Sequence, residues 1–522
     1  MKQKFYLSLI IITFLLFCYS IFADWEQIIS GFDYQKFTIS GPVEVFVTRM
    51  YCGDDIARQT NVIDSCIAQG QFYKVGLVNG GREVVSSMAN RYDEEINFYY
   101  QSWGKRNNVV AAINGDYWER EYYPSGPYTG CPAGGQIISG WFARRFPEYG
   151  GGSGFVYTIW GYPRLGGDVR NGDVDIVHQL VIFQDASESN ITNLNKERDS
   201  DDLMLYTPQW ASSTHTDNSG VEVLVQVNRP NLLIPDGVSA NSCTGTIIEI
   251  RDGVGNTLIP FDHIVLSGTG TGATTLRNKC VVGQTLYLRM HLRDYGFPDR
   301  TPPHPPQDWT KAYGVCGVDR EVLIDSQITN LPSPDATRDP RTAVALHAIP
   351  SDPQHLSDYV YFLVADGRRA GSIGMTFGEL AAFCRDYLGA THAASLDGGG
   401  SSTLWVNGQV KNIPSDLGNV ERATTNGLLM VQMLPKQQSI AFPSDQKVKT
   451  IVSTPLRLGP STNYASIATI PIDTEGQIVS HSLNGTFAKG EYWWKCQFGS
   501  NTGWIPGDQL VSTTSAKTWK EY

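Results

Sequence analysis

The chain has 522 residues and a formal charge of −11 at pH 7, from 41 basic and 52 acidic side chains. That length predicts two or three domains. The acidic balance, with no basic cluster to offset it, argues against nucleic acid as a partner.

The N-terminus carries Lys2 and Lys4, an apolar run from Phe5 to Phe17, and Ser20-Ile21-Phe22-Ala23 before Asp24. A basic start, a short apolar core and a small final residue predict a signal peptide over 1–23, hence a secreted or extracytoplasmic protein. The core is shorter than the roughly 20 residues of a spanning helix. No later segment is apolar enough for a transmembrane anchor. Cleavage removes Lys2 and Lys4, taking the charge to about −13, and removes Cys18, one of nine cysteines. The even remainder in an exported chain predicts disulfides, with Cys52 and Cys66 the favoured pair. No CxxC and no paired histidines occur at zinc-ligand spacing.

In chain order, AAINGDYW (111–118) reads as a strand that delivers Asn114 and Asp116. Asn114 suits a bond to a sugar hydroxyl or phosphate, and equally a hairpin turn with Gly115. Asp116 shares a strand face with it if the strand continues. Together they can hold a divalent cation, although the sequence requires no cofactor. Short strands and turns from Val221 to Leu292 predict a β subdomain over about 205–310. Within it SGTGTGATT (267–275) reads as a loop without chemistry, lacking a P-loop ending and a dinucleotide setting. DYVYFLVA (358–365) is a buried strand ending in Asp366-Gly367-Arg368. Thr376 with Glu379 three residues on predicts a capped helix over 376–388. The histidines are scattered and read as structural.

LDGGGSSTL (396–404) is the most informative run. An apolar approach stops at a carboxylate followed by Gly398, Gly399 and Gly400, whose N–H groups can converge on an anion. Ser401, Ser402 and Thr403 add hydroxyls to the rim. Asp397 beside an anion cradle suits a ligand with a phosphate and something else, such as a sugar phosphodiester. Apolar residues on both flanks argue against a flexible Gly/Ser linker.

The segment 435–447 is polar, proline-punctuated and reads as a linker. After it, LRLGPSTNY, EYWWKCQFG and GWIPGDQLV resemble the bacterial SH3-like domain, a small barrel expected over 448–522, with a cell-wall or glycan contact as its implied role. One of Trp493 and Trp494 is expected in its core and the other on a binding surface.

Residues 24–434 resemble the phosphodiester glycosidase family. AAINGDYW, PAGGQIISG (132–140), ITNLNKER (191–198), VLSGTGTG (265–272), RDPRTAVAL (338–346), VADGR (364–368), GMTFGELAAF (374–383), LDGGGSSTL and NVERATTNGLL (419–429) occur in the family's order. The resemblance implies an α+β, strand-rich fold with few helices. It also implies hydrolysis of a sugar joined through its anomeric carbon to a phosphodiester. The chain departs from the family in Cys52 and Cys66, in its tail, and in Asp116, where many relatives carry a small residue.

That reaction needs charge stabilisation on a leaving phosphate and a sugar cation, usually with two carboxylates. Asp397 is the first candidate, as nucleophile, general base or acceptor for a sugar hydroxyl, against the plain role of a turn cap. Asp366 is second, with Asn114 and Asp116 behind it. Arg341 is the first phosphate ligand, since a guanidinium fork matches phosphate oxygens; an ion pair with Asp339 is its ordinary alternative. Arg368 and Arg198 follow, and Arg422 is expected to hold the glycine turn by pairing with Asp416 or Asp397. The competing readings are a non-catalytic carbohydrate or cell-wall binding protein on the same fold, and a phosphodiesterase that cuts P–O.

Overall fold

The computed structural model describes residues 25–52, 64–71, 82–99, 102–118, 132–144, 152–158, 163–170, 179–227, 243–309, 312–329, 337–348, 357–434 and 437–513. The signal-peptide segment lies outside them. Among the described residues three α-helices stand beside a large excess of strands, and no helix is long and apolar enough to cross a membrane.

An eight-stranded antiparallel sheet organises the centre. Its order is Glu26–Ile29, Phe32–Ile39, Val43–Tyr51, Ser357–Ala365, Arg341–Ala348, His392–Ser395, Arg320–Ile324, Gln327–Ile328. Both faces of its middle strands are apolar, so alternate residues enter different cores. Val344, Leu346, Phe362 and Val364 pack against a second sheet through Val109 to Ile113 and Leu428 to Val431. Ala343, Ala345, Tyr361 and Leu363 pack against Leu380, Phe383, Cys384 and Leu388 of a helix on the opposite side. The second sheet runs Gln409–Val410, Leu404–Val406, Ser102–Asn114, Asn426–Leu434, Asp64–Gln71, with Ile96–Tyr99 paired to the long strand.

The helices are α1 (Val85–Tyr92), α2 (Gly270–Lys279) and α3 (Phe377–Leu388). α3 has the predicted capping box, with Thr376 accepting from the Glu379 N–H and Glu379 accepting from the Thr376 N–H, and it stops at a left-handed Gly389. α2 corrects the sequence reading, because 267–275 is a strand end running into a helix, not a loop. Gly270 and Gly272 hid it by their low propensity. Its first turn is held from outside, Asp201 accepting from the Thr271 N–H at 2.9 Å, and Gly272 lets it close on the 202–203 backbone. The β subdomain also begins earlier than expected, its eight-stranded sheet running from Gln179 to Met290.

Cys52, Cys243, Cys280, Cys316, Cys384 and Cys496 are buried thiols. The Cys52 Sγ donates to the Met50 carbonyl at 3.7 Å; the Cys66 side chain, the other half of the expected link, lies outside the described residues.

The C-terminal sheet spans Lys447–Thr450 to Leu510–Ser512 around Val448, Leu456, Ile478, Trp494, Cys496 and Ile505. The segment read as a linker lies along it: the Ser439 N–H donates to the Gly485 carbonyl at 2.7 Å, and Phe442 meets Trp494 edge-on at 5.2 Å. Trp493 and Trp494 point to opposite faces, as strand neighbours must, yet both are buried. Trp494 fills the sheet's own core, while Trp493 and Trp504 join Ile96 and Phe261 of the body in a shared cluster. Polar bonds ring that contact. Ser461 Oγ donates to Glu95 Oε2 at 3.2 Å, Asn463 Nδ2 to the Arg91 carbonyl at 2.7 Å, and Lys489 Nζ to the Asn90 carbonyl at 3.0 Å.

A body residue that packs on the tail should therefore stabilise the tail. Phe261→Ala, at a position 3% exposed, is expected to cost about 3–5 kcal/mol and to lower the melting temperature followed by tail tryptophan fluorescence. A tail transition that does not move would show that this contact contributes nothing.

Candidate functional site

The site forms where one edge of each central sheet meets the other. In the first sheet Arg320 pairs with Ser395 and Ser395 with Ala343, so the starts of the Arg320 and Arg341 strands flank the end of the His392–Ser395 strand. In the second sheet Ile113 pairs with Leu404 and Asn114 with Gly427. The edges are sewn together by main-chain bonds: the Asp397 N–H to the Gly115 carbonyl at 3.0 Å, the Leu396 N–H to the Thr342 carbonyl and the Gly399 N–H to the Pro340 carbonyl, both at 2.9 Å.

Asn114 sits at this seam, 0% exposed. Its Nδ2 donates to the Asp397 carbonyl at 2.6 Å, and its Oδ1 accepts from Thr342 Oγ1 at 2.8 Å and from the Thr403 N–H at 3.2 Å. These bonds commit its amide to the fold. Among the described residues no group of three His, Cys, Asp or Glu side chains is placed to hold a metal ion.

Part of the glycine turn's N–H set is bonded within the fold. The N–H groups of Gly399, Ser401, Ser402 and Thr403 bond to Pro340, Gly398, Gly399 and Asn114. Ser401, Ser402 and Thr403 are at most 1% exposed, so they lie beneath the rim rather than on it. The glycines are needed for space and conformation. Gly399 has φ +60°, and a Cβ on Gly398 or Gly400 would lie 2.9 Å from the Pro340 carbonyl oxygen or 1.9 Å from Asp416 Oδ1. Arg368 and Arg422 instead bring guanidiniums over this turn, against Gly399 and Gly400. Arg368 pairs with Asp339 at 2.8 and 3.0 Å, and Arg422 with Asp416 at 2.7 and 2.6 Å, as one sequence alternative expected.

Asp116 is the unusual carboxyl. It is 4% exposed and accepts from the Tyr117 and Gly134 N–H groups, each at 2.7 Å. Burial pushes its pKa up to about 6, against the pull of those two N–H groups, and the negative charges of Asp397 and Asp319 raise it further. Asp397, 6% exposed, follows the strand end directly. Asp319 and Arg320 were missed by sequence reasoning. Arg320 Nε donates to Asp319 Oδ2 at 2.8 Å, and Ser395 Oγ donates to the same oxygen at 3.1 Å. Their only sequence signal is the pair of charges in GVDRE just after a buried strand. Tyr117 borders the same group: burial raises its phenol to about 12, with Asp319 and Asp397 raising it and Arg341 and Arg320 opposing them.

Arg341 opens its strand at the same edge, and Asp339 is bonded to Arg368. The Arg341 Nε donates to the Met375 carbonyl and its Nη2 to the Thr337 carbonyl, both at 3.0 Å, and its guanidinium lies 3.8 Å from the centre of the Phe377 ring. Asp366 is 1% exposed and bonded on several sides. Its carboxylate accepts from Arg369 Nη2 at 2.7 Å, from the Ile413 N–H at 3.1 Å and from Asn412 Nδ2 at 3.1 Å, and Asn412 in turn bonds the Ser402 carbonyl and the Leu404 N–H. Arg198 lies in the β subdomain, bonded to Ser267, Asp217 and Ser219 in the wall of a polar cavity of about 560 Å³. It is not brought to Asp397.

A family model described as phosphodiester glycosidase matches residues 281–431, and that segment is similar to the family. It contains Asp319, Arg320, Arg341, Arg368, Asp397 and Arg422; Asn114 and Asp116 precede it. No curated protein matches. Among solved structures, a hypothetical protein from Synechocystis is 16% identical with TM-score 0.47, covering 78% of this chain and 63% of its own, so the chain spans less than two thirds of that relative's length. A putative exported protein from Burkholderia pseudomallei K96243 is 17% identical with TM-score 0.44, covering 76% and 74%. The zebrafish N-acetylglucosamine-1-phosphodiester alpha-N-acetylglucosaminidase catalytic domain, auto-inhibited by its pro-peptide, is 12% identical with TM-score 0.32, covering 77% and 82%.

Proposed function

We propose that this chain is a secreted hydrolase that cuts the anomeric C–O bond of a sugar-1-phosphodiester, such as an N-acetylglucosamine-1-phosphodiester or a glycosyl phosphate of a cell wall or exopolysaccharide. The observation that carries the reading is a buried carboxyl, Asp116, shifted to about 6 beside a second carboxylate, Asp397, at an edge that also carries Arg320 and Arg341. A carboxyl whose burial favours its protonated form can do acid work beside a second carboxyl. In this reading Asp116 holds a proton for the departing phosphate oxygen. Asp397 serves the anomeric carbon, directly or through a water, and the guanidiniums hold the phosphate charge. The leaving phosphate is already a stable anion, so much of the acceleration comes from those cations. In the C-terminal sheet we read the SH3-like module, with wall or glycan contact on surfaces other than the one that buries Trp493 and Trp504.

Hydrolysis in ¹⁸O-water tests the bond broken: label is expected in the released sugar, and label in phosphate would assign P–O cleavage instead. A panel of UDP-sugars and sugar-1-phosphate methyl esters should show which sugar is accepted. A wild type that binds these ligands without turnover would favour a recognition module.

Asp397→Asn keeps shape and removes charge, so kcat is expected to fall at least about 100-fold while calorimetric affinity for the substrate changes little. Wild-type kcat in that variant would remove Asp397 from the mechanism.

The pH profile has a defined sign. Asp116 is protonated below its raised pKa of about 6, and the protonated form is the useful one. Activity as kcat/KM is expected to fall above about pH 6, approaching tenfold per pH unit. A flat profile between about pH 5 and 8 would show that no proton from Asp116 is needed.

A further inference from the structure

Phe377 opens α3 immediately after its Thr376 cap, and its ring meets two guanidiniums. Arg341 Cζ lies 3.8 Å from the ring centre and Arg320 Cζ lies 4.2 Å from it. Two like charges on one small ring repel, so the arrangement persists only where other contacts hold it. The ring's π-system attracts each cation. Arg341 is fixed by the Met375 and Thr337 carbonyls, and Arg320 by its Asp319 neighbour.

The sheet explains the spacing. The Arg320 and Arg341 strands are not adjacent, since the His392–Ser395 strand runs between them. Two strand spacings amount to roughly 10 Å, a gap that a phenyl ring with a guanidinium on each side can fill. The intervening strand ends at Ser395, two residues before Asp397. The two arginines thus straddle the strand that delivers the carboxylate.

We propose that Phe377 is a positioning residue that holds Arg320 and Arg341 as a two-armed clamp for the substrate's phosphate, one arm on each side of the Asp397 strand. The inference rests on the phosphodiester reading above and adds the residue that sets its charge specificity. Planar guanidiniums suit this role because each carries more N–H donors than the Met375, Thr337 and Asp319 bonds use. Arg320, absent from the sequence-level candidates, becomes the second arm.

Phe377→Leu retains an apolar side chain against the α3 core and removes the π face, while Phe377→Tyr keeps that face. For Phe377→Leu we expect KM for a methyl sugar-1-phosphodiester to rise about tenfold, with inorganic phosphate binding weakened by a similar factor in calorimetry. An uncharged aryl glycoside of the same sugar should keep its kcat/KM within about twofold, and Phe377→Tyr should restore phosphate binding. Equal losses on charged and uncharged substrates would make Phe377 a merely structural residue and overturn the clamp, as would unchanged phosphate binding in a folded Phe377→Leu protein. A wild type that binds phosphate and loses it in Phe377→Leu, yet hydrolyses no glycosyl phosphodiester, would keep the clamp and overturn the assigned reaction.

Discussion

The Asn114 amide is the interaction on which the rest of the site depends. It joins the end of the Ser102–Asn114 strand to Thr342 in the other sheet and to both ends of the glycine turn, at Asp397 and Thr403. A buried amide that satisfies one acceptor and two donors is worth more than the sum of exposed bonds, because removing it strands each partner out of reach of water. Each stranded group costs about 1–3 kcal/mol. The same bonds fix where the Asp397 main chain leaves the sheet, so the direction of its carboxylate follows from the packing of a residue with no chemistry of its own.

Space around Asp116 is controlled in a comparable way. Gly134 and Gly317 lie so close that a Cβ on either would sit 2.7 or 2.5 Å from Asp116 Oδ2. Side chains there would push the carboxyl toward solvent and relieve the desolvation that raises its pKa. The sheet edge therefore places Asp397 near a carboxyl that resists ionisation.

Local signals were legible in the sequence where the physics is local. The Thr376–Glu379 capping box needs only a three-residue spacing, and the apolar runs before Asp366 and Asp397 needed only β-rich composition. The glycine turn was read correctly as a place of close approach, but the approaching groups are Asp416, Arg422 and Pro340 of the same chain. Nothing in LDGGGSSTL reveals that the Gly399 and Thr403 N–H groups are already bonded, because their acceptors, Pro340 and Asn114, are distant in sequence. Asp319 and Arg320 were invisible for a related reason: two charges after a strand look like an exposed turn until the Ser395 pairing brings them to Asp397. Helix α2 was missed because tertiary packing of Ala273 and Leu276 overrides the low propensity of its glycines and threonines.

The tryptophans illustrate what alternation can and cannot decide. Adjacent strand residues face opposite ways, so Trp493 and Trp494 cannot share one core, and the sequence reading gave the second face to solvent. The body covers it instead, through Phe261 and Ile96. Ile96 begins the short strand paired with Ser102–Asn114, and Glu95 beside it accepts from Ser461 in the tail. One long strand therefore has the tail packed near its start and the glycine turn bonded to its end, with a continuous apolar stretch, Val109 to Ile113, buried between them. A change that loosens the tail would act on the same sheet that positions Asp116, and it would do so without touching a substrate.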